Sequence, residues 1–264
     1  MSKLPRAKKK LGQHFLKDEK VIKGITEDWA QDCDVIIEVG PGPAVLTKHL
    51  ASIGKPFFVL EKDESFKPYL SKILKDEQII FGDALKFHWE EFIKNNNLEK
   101  NKIWLVSNLP YNVGTILYTQ FLQIENIEYL TLMFQKEVGD KTYPREGTNL
   151  MNGLLFLSTN YLEAKLLLKV SPGCFTPPPK VDSVVVSYQR KENPEISIDD
   201  YKEANSFTRT LFGNRRKQIG SVLKQVYDKE LISQAFETAG VVTTARAESL
   251  SYVDVMALFQ AIRK

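Results

Sequence analysis

The sequence predicts an α/β protein: an open, largely parallel sheet carrying most of the chain, then a small all-helical domain. Three observations lead there. Up to about residue 135, short apolar runs alternate with segments of helical period, the pattern of strands joined by right-handed helical crossovers. One such run, VIIEV (35–39), feeds directly into GPGPA (40–44), a glycine-rich turn that opens a helix. From about Asn193 onward the apolar residues recur only at helical spacing.

Taken in order, residues 17–32 place Val21, Ile22, Ile25 and Trp29 on one helical face, with Asp18 positioned to cap its start. After VIIEV and its turn, Val45 to Ile53 reads as a short helix stopped by Gly54. PFFVL (56–60) is the second strand, followed by a helix across Phe66–Leu74. QIIF (78–81) and IWLVS (103–107) are the third and fourth strands. A helix at about Ile116–Phe121 leads to a fifth strand, YLTLMF (129–134). AKLLLKV (164–170) and VDSVVVSYQ (181–189) are two late strands flanking SPGCFTPPPK, whose prolines 177–179 stiffen it into an extended segment. FTRTLF, QIGSVLKQVY, LISQAFETAG and YVDVMALFQAIRK are helices separated by turn signals. The polar KENPE stretch sets a boundary near 190–196, dividing the chain into domains 1–192 and 193–264.

Composition narrows the class. At 43% hydrophobic and 26% charged residues the chain can bury an ordinary core, and no apolar run is long enough to span a bilayer. The N-terminus is charged where a signal peptide needs its apolar run, so a cytoplasmic location is expected. Cys33 and Cys174 read as reduced structural thiols. His14, His49 and His88 are too scattered to suggest a metal site. The net charge is only +3, yet Lys8, Lys9 and Lys10 cluster before the first acid, and Arg215, Arg216 and Lys217 cluster late in the chain. Basic clusters on a nearly neutral body point to a polyanionic partner.

The chemistry-bearing residues sit at the carboxyl ends of the first four strands. Gly40 and Gly42 let backbone approach a ligand at a helix N-terminus. Glu61, ending the second strand, can accept both hydroxyls of a ribose, and Asp83, after the third, can accept from an adenine amino group. Together they describe a crevice for an adenosine-containing cofactor, NAD or S-adenosyl-L-methionine. Val45 stands where a dinucleotide site usually has its third glycine.

The fourth strand ends in VSNLPYN (106–112), and here the chain resembles the ribosomal RNA small-subunit adenine N6,N6-dimethyltransferase family. KKKLGQHFLKD, IIEVGPG, LEKD, GDAL, SNLPYN, QKEV, CFTPPPKVDSVVV and NRRKQIGSVL follow the family's order over nearly the whole chain. The resemblance implies a Rossmann-like class I methyltransferase sheet, S-adenosyl-L-methionine as cofactor, and two adjacent adenosines near the 3′ end of small-subunit (16S) ribosomal RNA as substrate, during ribosome assembly. A monomer is the default expectation, with no obligate protein partner evident in the sequence and no membrane attachment.

An exocyclic adenine nitrogen is a poor nucleophile because its lone pair is delocalised into the ring. The side-chain oxygen of Asn108 and the carbonyl of Leu109 can each accept an N6–H bond and turn that lone pair toward the methyl group. Pro110 stiffens the loop, and Tyr111 offers the base an aromatic face. By resemblance, Phe175 is the second face of an aromatic clamp on a base taken out of its stack. His14 and Leu16 match positions that contact the methionine part of the cofactor, although asparagine is common at the former. Lys8–Lys10 and Arg215–Lys217 would contact phosphates. Two segments depart from the family pattern: GDKTYPREGTN (139–149), without the arginine expected soon after QKEV, and MNGLLF (151–156). The rival readings are a non-catalytic ribosome-assembly or transcription factor on the same fold, and a large-subunit ribosomal RNA adenine methyltransferase.

Overall fold

The computed structural model describes residues 13–145, 150–214 and 216–263. It divides into two compact units, one of Met1–Asp140 with Ala164–Arg190, the other of Lys141–Glu163 with Lys191–Lys264.

The first unit runs β1 (Phe15–Leu16), α1 (Glu19–Glu27), β2 (Val35–Val39), α2 (Thr47–Ala51), β3 (Phe57–Glu61), α3 (Lys67–Leu70), β4 (Ile79–Phe81), α4 (Trp89–Asn95), β5 (Ile103–Asn108), α5 (Gly114–Phe121), β6 (Ile127–Gln135) and α6 (Lys136–Gly139). After α7 (Gly153–Tyr161), a helix of the second unit, come β7 (Leu162–Val170), β8 (Phe175–Thr176) and β9 (Ser183–Arg190). Seven strands form one sheet in the order β4-β3-β2-β5-β6-β9-β7. The five from β4 to β6 are parallel, and β9 joins antiparallel to β6. All five residues of β2 are buried, as a strand covered on both faces requires. The chain leaves β2 toward β3 and β4, then returns to lay β5 on the other side of β2. That reversal makes the carboxyl ends of β2 and β5 a switch point, where open α/β sheets form ligand crevices.

A long-range contact overrules local pattern at the end of one helix. Asp18 caps α1 as expected, accepting from the N–H groups of Lys20 and Val21 at 3.0 and 3.1 Å. The helix stops at Glu27 rather than near 32, because Asp28 is drawn to the sheet. Its carboxylate accepts from Thr131 Oγ1 at 2.7 Å and Ser187 Oγ at 3.1 Å, and burial raises its pKa. Trp29 then stacks on Tyr129 with ring centroids 4.4 Å apart. Helix α4, with Trp89 and Ile93 buried, was not anticipated.

In the second unit α8 (Tyr201–Phe212), α9 (Ile219–Leu223), α10 (Lys229–Ala239) and α11 (Tyr252–Arg263) supply the expected helices. Asp228 caps α10, and Gly240, at φ +65°, ends it. Segment 141–163, expected within the first domain, belongs with these helices. Asn160 explains why: its amide donates to the Ile196 carbonyl and accepts from the Ile196 N–H, both at 3.0 Å. Gly153 lets α7 approach α8, since a Cβ there would lie 3.0 Å from Thr208 Cβ.

The loop carrying Phe175 is a correction. Leu16 pairs with Phe175 and Phe15 with Thr176 in the β1–β8 ladder, and the Lys17 N–H donates to the Cys174 carbonyl at 2.8 Å. This ladder turns the Phe175 ring into the apolar core, where it is 1% exposed. The ring therefore packs in the core and not on the wall of the cleft. Truncating it removes a fully buried aromatic side chain. Phe175→Ala is expected to cost about 3–5 kcal/mol of stability, measured as a shift of the denaturant midpoint; an unshifted midpoint would restore it as an exposed stacking residue.

Candidate active site

A cleft of about 160 Å³ opens at the switch point, far more than one water needs. Its lining brings together His14, Leu16, Gly40, Gly42, Glu61, Asp83, Asn108, Leu109, Pro110 and Tyr111. Phe175 is absent from that wall. Lys8, Lys9, Lys10 and Arg215 lie outside the described residues. Arg216 and Lys217 are exposed in the second unit, just before α9.

The turn after β2 is built around left-handed backbone. Gly40 and Gly42 have φ of +71° and +53°, and Ala44 adopts +64° despite its Cβ. A Cβ on Gly40 would meet nothing within 4 Å, so backbone conformation alone demands glycine there. The Gly40 N–H donates to the Leu60 carbonyl at 2.9 Å.

Glu61 ties this turn to the end of β3. It is 5% exposed, and its two oxygens accept the N–H groups of Gly42 at 2.9 Å and Asp63 at 2.7 Å. Burial raises its pKa, opposed by these bonds. An ionised carboxylate offers about four acceptor positions, so acceptor capacity remains beyond these two bonds. Asp83 sits past β4 with one oxygen accepting the Leu85 N–H at 3.1 Å and the other bound by Lys62 Nζ at 2.7 Å. The Lys62 ammonium holds its pKa below the usual carboxylate range.

The acceptors at the end of β5 are also in place. Asn108 donates from Nδ2 to the His14 carbonyl at 3.1 Å, which leaves its oxygen as the accepting end. The Leu109 N–H donates to the Met133 carbonyl at 3.2 Å, anchoring the peptide whose carbonyl follows. Tyr111 is fixed by a 2.6 Å hydroxyl contact with Ser183 Oγ, and one face of its ring lies against the His14 imidazole, centroids 5.4 Å apart. His14 is itself held by a 2.8 Å contact from Nδ1 to the Pro177 carbonyl. Its side chain therefore braces Tyr111 against the proline-rich loop, and its main chain braces Asn108.

Sequence reasoning passed over Glu38. It lies in β2, lines the cleft, and is 2% exposed; Thr47 Oγ1 donates to it at 2.7 Å. Burial pushes its pKa up to about 8, with the nearby Glu61 charge adding to the rise. A carboxylate inside an otherwise apolar strand was the available signal. Glu38 and Glu61 are thus two buried acids on the wall of the cleft.

A family profile described as "Ribosomal RNA adenine dimethylase" matches residues 5–264. The "Ribosomal RNA small subunit methyltransferase A" of Clostridium acetobutylicum is 36% identical over 252 residues, 93% of this chain and 90% of that one. A dimethyladenosine transferase from Plasmodium falciparum is similar in structure at TM-score 0.70 and 20% identity, over 93% of this chain and 96% of that one. The 23S rRNA methyltransferase ErmE gives TM-score 0.66 at 23% identity, over 95% and 100%. These two structures establish likeness of fold alone.

Glu38 makes stability depend on pH with a definite sign. Its folded pKa of about 8 lies above the ordinary value of 4.5, so the folded state binds the extra proton between them. Stability therefore falls as pH rises across that window, with a slope of up to about 1.4 kcal/mol per pH unit. Glu38→Gln is expected to flatten the decline relative to the unaltered protein in denaturant titrations from pH 5 to 9; identical slopes would refute the assignment.

Proposed function

The chain belongs to the ribosomal RNA adenine dimethylase family, and on that premise we propose the following reaction. It transfers methyl groups from S-adenosyl-L-methionine to N6 of two adjacent adenosines near the 3′ end of small-subunit (16S) ribosomal RNA, two per base, during ribosome assembly. The observation that carries this reading is that the Asn108–Tyr111 acceptors open into the same cleft as Glu61 and Asp83.

The residues present suit the cofactor. Glu61 has acceptor positions left for the ribose, and Asp83 has them for the purine amine. The turn at Gly40–Gly42 admits close backbone approach, and His14 and Leu16 flank the methionine end. The bound cofactor supplies an electrophilic methyl group. The chain supplies orientation. Asn108 Oδ1 and the Leu109 carbonyl each accept one N6–H, so the nitrogen lone pair is aimed at the methyl carbon for in-line displacement. Pro110 limits movement of that carbonyl, and Tyr111 supports the base on the ring face not used by His14. The proton shed by the alkylated nitrogen passes to water, so the site needs no dedicated base.

Lys8, Lys9, Lys10, Arg215, Arg216 and Lys217 are proposed phosphate contacts, giving salt-sensitive affinity with little sequence choice. The substrate's shape in the assembling particle supplies the rest. The protein acts as a cytoplasmic monomer in this reading; among the described residues no helix is long and apolar enough to cross a membrane.

The test uses labelled S-adenosyl-L-methionine with unmethylated small subunits, and large subunits alongside. The unaltered protein should place N6,N6-dimethyladenosine at adjacent small-subunit positions. Asn108→Ala should lose roughly 100-fold or more in rate while still binding the particle. Unchanged methylation by the variant would sink the mechanism, and label confined to large-subunit RNA would sink the substrate assignment.

A further inference from the structure

Lys62 lies in the cleft and has no part in the reaction described above. It follows Glu61, the last residue of β3, and Asp83 lies two residues beyond Phe81, the last residue of β4. These strands are parallel with Glu61 opposite Phe81, so the register sets the two side chains side by side at the mouth of the crevice. The Lys62 ammonium reaches Asp83 Oδ2 at 2.7 Å, while Asp83 Oδ1 accepts the Leu85 N–H at 3.1 Å. Lys62, Asp83 and Leu85 all line the cleft.

We infer that Lys62 is a positioning residue for recognition of the cofactor's purine: it fixes the Asp83 carboxylate so that a remaining lone pair accepts the 6-amino N–H. The inference rests on the cofactor reading above. An isolated surface ion pair of this kind contributes little to stability. This pair differs in its place, because the carboxylate is gripped at both oxygens and cannot swing away from the cleft wall. A carboxylate oxygen engaged once still has an acceptor position. Lys62 thereby orders the group that reads the amine, and it sets ligand choice without touching the reacting atoms.

Three measurements distinguish this role from general support of the fold. The Lys62 side chain is 58% exposed, so Lys62→Met opens no cavity and should melt with the unaltered protein. Calorimetric titration should compare S-adenosylhomocysteine with an analogue carrying hydrogen in place of the 6-amino group. In the unaltered protein, losing the amine should weaken binding roughly tenfold. In Lys62→Met, S-adenosylhomocysteine should bind several-fold more weakly, and the amine should matter less than about twofold. Lys62→Arg should restore the tenfold preference. With saturating cofactor, kcat of Lys62→Met should stay near the unaltered value while KM for S-adenosyl-L-methionine rises. A full amine preference in Lys62→Met, or equal losses on both ligands, would overturn the inference. Failure of the unaltered protein to bind either ligand would instead overturn the cofactor reading on which it rests.

Discussion

A buried carboxylate must find hydrogen-bond donors, and the site depends on where Glu61 finds them. Its donors are the N–H groups of Gly42 and Asp63, so one side chain joins the loop after β2 to the loop after β3. With Gly42 held there, the turn keeps its positive φ angles and α2 begins where the crevice needs it. The Gly40 N–H, bonded to Leu60, fastens the same two strand ends a second time. Neither loop can relax without leaving an acid unsatisfied in a nearly dry environment.

The other side of the crevice is fastened by contacts across the switch point. Ser107 Oγ donates to the Val39 carbonyl at 2.7 Å, linking β5 to the end of β2 directly before the glycine turn. Asn108 and Leu109 follow at once, tied to His14 and Met133. Glu61, Asp83, Asn108 and Leu109, which line one cleft, are thus all placed by the ends of strands in one parallel sheet. This suits a reaction in which the protein orients two reactants and never bonds to either.

Much of this was legible in the chain. Alternating apolar and helical segments gave the parallel sheet, and the ends of those strands located Glu61, Asp83 and Asn108, because a crevice exposes the last residues of its strands and the turns that follow them. Misjudged features were those decided by distant partners. The end of α1 depends on Asp28 finding Thr131 and Ser187 in strands far along the chain. The direction of the Phe175 ring depends on a ladder between residues 15–16 and 175–176, which no local pattern displays. The allegiance of segment 141–163 depends on Asn160 meeting Ile196. Glu38 is a different case: its acid in a buried strand was visible and went unused.

In the proposed reaction the Glu61 carboxylate, already holding the turn, also receives the ribose hydroxyls of an adenosyl cofactor. The direct measurement alters the ligand and leaves the protein intact. Calorimetry would compare S-adenosylhomocysteine with an analogue lacking both ribose hydroxyls. The analogue should bind at least about tenfold more weakly, since each lost bond is to a charged acceptor. Equal affinities would mean that Glu61 serves only the fold, and the cleft would need another reading.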